Sequence, residues 1–100
     1  MDNFGLSEKT INILRGYFSQ LPEIERIKVY GSRAIGNYRK GSDIDLAIFG
    51  KTDKNLITKI SLEIDELNTP YLFDITDYAT IQNEKLKEHI DEYGRELYAK

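Results

Sequence analysis

Two aspartates one residue apart constrain this chain more than any other feature. Asp43 and Asp45 open the alternating run Asp43-Ile44-Asp45-Leu46-Ala47-Ile48-Phe49. As a strand, the run places Ile44, Leu46 and Ile48 on one face and Asp43, Asp45 and Ala47 on the other. Same-face neighbours lie only about 6–7 Å apart, so the two carboxylates repel each other and ask for a cation between them. The chain has no cysteine and a single histidine, His89, far away in sequence. Hard carboxylate oxygens without softer ligands suit Mg2+.

Upstream, Ile27 and Val29 alternate with Lys28 and Tyr30 until Gly31-Ser32 interrupts the run. The pattern predicts a strand over Arg26–Tyr30, a tight turn, and a short helix from about Arg33. Gly31 lets backbone approach a ligand closely, Ser32 offers a hydroxyl, and the N–H groups at the helix start favour an anion. Gly36 and Gly41 allow the following loop to fold back and bring Ser32 near Asp43 and Asp45. Arg33, Arg39 and Lys40 supply positive charge suited to a polyphosphate. Ser42 reads equally as a phosphate contact and as a turn residue.

Gly31-Ser32, a spacer carrying Arg33, Ala34, Gly36 and Arg39, and then Ser42-Asp43-Ile44-Asp45-Leu46 resemble the GS…SDxDL signature of the polymerase-beta-type nucleotidyltransferases. In particular the chain is similar to their smallest members, the MNT domains, and the resemblance covers nearly its whole length. It implies a polymerase-beta-like core and a third aspartate on the neighbouring strand. Asp74 is the matching position: it lies within the otherwise apolar run Tyr71–Asp77, where an unpaired carboxylate is costly. Asp77, of opposite parity, is the fallback.

On the same resemblance, Asp43 and Asp45 would bridge two Mg2+ ions and Asp74 would hold the one that activates an incoming hydroxyl. Gly31, Ser32, Arg39 and Ser42 would bind the triphosphate of ATP. The implied reaction is transfer of AMP onto a hydroxyl. MNT proteins resembling this one are the antitoxin halves of HEPN/MNT pairs, so the implied partner is a helical HEPN toxin from an adjacent gene, modified on a tyrosine. Two other readings compete: a binding antitoxin that only masks its partner, and a small-molecule nucleotidyltransferase of the aminoglycoside type. The second needs an acceptor domain for which no sequence is present.

The rest of the chain predicts α/β (α+β) architecture, a small mixed β-sheet with flanking helices, in a single domain over 1–100. An amphipathic helix carries Ile11, Leu14, Phe18 and Leu21, with Ser7 suited to cap it. A second runs from an Asp53 cap to about Leu67, and a charged one spans about Asn83 to Tyr93. Residues Glu96 to Tyr98 add a short final strand. Among the charged neighbours Lys87, Glu88, Asp91 and Glu92, His89 reads as part of a solvated helix face, and Tyr30, Tyr71 and Tyr78, near the strands, read as packing residues.

A net charge of −3 argues against a broad electrostatic grip on nucleic acid. The start lacks a basic and apolar leader pattern, no apolar run reaches membrane-spanning length, and the lack of cysteine agrees with a cytoplasmic location. With no second domain in view, a partner protein or a homodimer would have to complete the acceptor surface.

Overall fold

The computed structural model describes residues 4–36 and 43–100. Arg39, Lys40, Gly41 and Ser42 lie outside the described residues. The first helix, α1 (Glu8–Ser19), begins where the Ser7 hydroxyl accepts the Thr10 N–H at 3.1 Å. Strand β1 (Ile24–Tyr30) follows, then the one-turn helix α2 (Ser32–Ile35) and strand β2 (Ile44–Gly50). Helix α3 (Lys54–Ile64) starts on the Asp53 carboxylate, which accepts the Leu56 N–H at 2.7 Å. Strand β3 (Phe73–Asp77) leads through a 3-10 turn (Tyr78–Thr80) to α4 (Glu84–Tyr93), capped by Asn83, and to strand β4 (Arg95–Ala99).

The strands form one mixed sheet in the order β3-β2-β1-β4. Strand β1 runs antiparallel to β2 and to β4, whereas β2 and β3 are parallel, with α3 as the crossover that a parallel pair requires. This is the small mixed sheet that the alternation of patterns predicts. The predicted third strand starts two residues later than its pattern, at Phe73. The final strand is longer than Glu96–Tyr98.

Alternation along the strands divides the molecule into two unequal layers. Ile27 and Val29 of β1, Ile44, Leu46 and Ile48 of β2, and Leu97 of β4 face α1 and α3, where Leu14, Phe18, Ile60 and Ile64 close the main core. On the opposite face, Ala47 and Tyr30 pack beneath Ile90 of α4, with Phe49, Tyr78, Ile81 and Leu86 around them. That second layer covers only part of its face. At the acid-bearing end of β2 and β3, Asp43 and Asp74 are exposed.

Candidate active site

Strand pairing brings two of the predicted acids together. In β2 and β3, Asp45 stands in register with Asp74, and Ala47 with Thr76. Side chains in register on a parallel pair share a face at the strand spacing of about 4.8 Å. The pairing reaches the rim of the site, because the Ile44 N–H donates to the Leu72 carbonyl at 3.0 Å. Asp43, just ahead of β2, and Asp74 are exposed, while Asp45 is half-buried. Burial, then the charges of Asp74 and of Asp43, push the Asp45 carboxyl above its usual range.

The neighbouring strand supplies the floor. Tyr30, the antiparallel partner of Asp45, reaches across β2 so that its hydroxyl lies 2.8 Å from Thr76 Oγ1. Its phenol is pushed up chiefly by burial and, against the Thr76 hydrogen bond, by the charges of Asp45 and Asp74. Tyr30 thus stays neutral and acts as packing.

Gly31 turns the chain directly over Asp45. Its φ of 75° and ψ of −154° belong to a region that only glycine enters readily. A Cβ built there would run into Asp45 Oδ2, with Asp45 Cγ 3.4 Å away. Glycine is therefore what allows the turn and the carboxylate to touch. The Gly31 carbonyl accepts the Ala34 and Ile35 N–H groups of α2. Ser32 follows, half-buried, and its hydroxyl makes no hydrogen bond among the described residues.

Two sequence expectations change in the structure. Arg33 does not offer its charge to the loop. It is buried at 2% exposure, donates from Nη1 to the Phe4 carbonyl at 2.8 Å, and lies 5.3 Å from the Tyr71 ring centroid. Its helical position beside the core face, with a carbonyl in reach, draws it inward. His89 is not on a solvated face: Nε2 accepts the Gly31 N–H at 2.9 Å. The signal was in the sequence. Leu86, His89, Ile90 and Tyr93 fall at the i, i+3, i+4, i+7 spacing of the inner stripe.

Asp77, the fallback acid, holds structure. Its carboxylate accepts the Thr52 hydroxyl at 2.8 Å and the Ala79 N–H at 3.2 Å, capping the 3-10 turn. Among the described residues, no three His, Cys, Asp or Glu side chains converge closely enough to hold a metal ion as they stand. The donor chemistry nevertheless fits a hard cation. Asp45, Asp74 and Asp43 are oxygen donors; the charges of Asp74 and Asp43 add to burial in raising the Asp45 carboxyl, and a divalent ion would offset those charges.

The chain matches the family model described as polymerase beta, nucleotidyltransferase, over residues 9–100. It belongs to the polymerase beta nucleotidyltransferase family. Within that family the resemblance to MNT domains holds at the level of structure. A crystal structure of a toxin–antitoxin with AMP-PNP superposes with a TM-score of 0.70 at 21% identity, covering 95% of this chain and 75% of the other. An MntA–HepT toxin–antitoxin structure superposes with a TM-score of 0.59 at 19% identity, covering 94% and 74%. A complex of a tri-AMPylated Shewanella oneidensis HEPN toxin with its MNT antitoxin gives 0.59 at 19% identity over 95% and 74%. At these identities the likeness is one of fold. No curated protein matches. No helix among the described residues is long and apolar enough to cross a membrane.

Proposed function

We propose that this nucleotidyltransferase domain transfers AMP from ATP to a hydroxyl, a tyrosine of a HEPN-type partner protein, and serves as that partner's antitoxin. The observation that carries the reading is the in-register pair Asp45 and Asp74, with the Gly31 turn lying against Asp45. Family membership supports nucleotidyl transfer. The solved toxin–antitoxin folds, one with AMP-PNP and one with an AMPylated HEPN toxin, support the donor and the partner class.

Gly31 and Ser32 would hold the triphosphate against the acid pair, and Arg39 and Ser42, which precede β2 in sequence, would add contacts. Asp43, Asp45 and Asp74 would hold Mg2+, which supplies charge neutralisation at the phosphates and at the attacking oxygen when bound. The acceptor oxygen bonds to the α-phosphorus, the bond from that phosphorus to the bridging oxygen breaks, and pyrophosphate leaves. The acceptor proton passes to the Asp74 carboxylate, exposed at the open sheet edge, and on to water.

Intact mass spectrometry of the HEPN partner after incubation with the chain, ATP and Mg2+ tests the reading. A gain of one or more AMP masses that disappears with Asp43→Asn or Asp45→Asn is expected. A stable complex without mass gain would instead identify a binding antitoxin, and AMP appearing on a small acceptor would identify the aminoglycoside-type activity.

A further inference from the structure

We propose that His89 is a positioning residue for the nucleotide, acting through the Gly31 N–H; this rests on reading the Gly31-Ser32 turn as the phosphate cradle. The Gly31 peptide is held at both ends. His89 Nε2 accepts its N–H at 2.9 Å, while its carbonyl accepts from the Ala34 and Ile35 N–H groups of α2.

The hold is itself organised. His89 is half-buried on the inner stripe of α4, which Ile90 anchors against Ala47 and Tyr30. Its ring lies edge-on to Tyr30, with centroids 6.1 Å apart, and 5.5 Å from Tyr93 on its own helix. Flanked in this way, the imidazole has little freedom to turn away from Gly31. The turn it secures has a backbone conformation that is weakly self-sustaining, because a glycine at φ 75° can relax to many others. His89 selects the one in which Ser32 enters α2 and Gly31 rests on Asp45. Without the acceptor, a half-buried N–H loses its partner, and the cradle samples shapes that do not fit phosphate.

The test compares wild type with His89→Phe, which keeps a ring between Tyr30 and Tyr93 but removes the acceptor, and His89→Gln, which keeps an acceptor. Three quantities are read: Gly31 amide hydrogen exchange by NMR, ATP affinity with Mg2+ by calorimetry, and the thermal midpoint. In His89→Phe, Gly31 should exchange at least about 10-fold faster and ATP bind about 10-fold more weakly, the loss expected for one hydrogen bond holding a ligand site. His89→Gln should recover both to within about 3-fold of wild type. Unchanged Gly31 exchange in His89→Phe overturns the proposal. So does released Gly31 with unchanged ATP affinity, and so does equal weakening in both variants with matching losses of thermal midpoint, which marks a structural role alone. Wild type that binds no ATP sinks the nucleotidyltransferase reading itself, and the Gly31 exchange data keep that failure distinct.

Discussion

Gly31→Ala is the sharpest perturbation of this site, because its cost divides into two parts that can be measured separately. The first part is backbone. At φ 75° and ψ −154° an L-residue sits in territory essentially reserved for glycine, which costs about 1–3 kcal/mol. The second part is contact. The new Cβ meets the Asp45 carboxylate, whose Cγ lies 3.4 Å from it. A carboxylate can swing aside, so this part costs on the order of 0.5–1.5 kcal/mol, the strain of a displaced side-chain torsion.

The single variant should therefore lose about 1.5–4.5 kcal/mol, and at about 4–8 °C per kcal/mol for a domain of this size its thermal midpoint should fall by roughly 6 °C or more. In an Asp45→Ala background the contact disappears and only the backbone part remains. Chemical denaturation followed by circular dichroism on wild type, both singles and the double gives the coupling directly, expected at about 0.5–1.5 kcal/mol. Equal costs of Gly31→Ala in both backgrounds would refute the contact between turn and carboxylate. A cost below about 0.5 kcal/mol in both would refute the strained backbone as well.

Three other outcomes follow from the same geometry. Burial and the charges of Asp74 and Asp43 raise the Asp45 carboxyl, so the folded chain binds that proton more tightly than the unfolded chain, and stability falls as pH rises from the ordinary value of 3.8 through the raised one. Asp45→Asn should then melt higher than wild type near neutral pH in a metal chelator, with the advantage shrinking as the pH drops below that window; a lower melting point at neutral pH refutes the repulsion. Asp77→Ala removes the acceptor of Thr52 and the cap of the 3-10 turn, and should cost about 1–2 kcal/mol in denaturant while AMP transfer persists; abolished transfer with little loss of stability would return Asp77 to the acid set. Ala47→Leu, at a fully buried position beneath Ile90, should cost about 1–3 kcal/mol by overpacking the thin second layer, and an unchanged midpoint would show that α4 is loosely seated.

How far the sequence could be read depended on whether a feature was periodic or relational. Period-two alternation fixed which faces of β1, β2 and β3 carry apolar residues, and so put Asp45 and Asp74 on a common side. The register that makes them neighbours is a property of two strands joined by α3, and no single stretch encodes it. Arg33 shows the limit from another side: a basic residue beside a phosphate motif reads as a ligand contact, yet the Phe4 carbonyl and the Tyr71 ring, distant in sequence, bury it. His89 was hidden by its neighbours Lys87, Glu88, Asp91 and Glu92, whose charge made the helix look solvated on every side. Its spacing with Leu86, Ile90 and Tyr93 pointed inward all the same. A histidine on an inner stripe needs a polar partner when half-buried, and the structure supplies the Gly31 backbone N–H. The second layer therefore does more than cover Ala47 and Tyr30. Through His89 it ties the last helix of the chain to the turn that lies on Asp45, so a change in how α4 packs is transmitted to the proposed phosphate cradle without touching any of the acids.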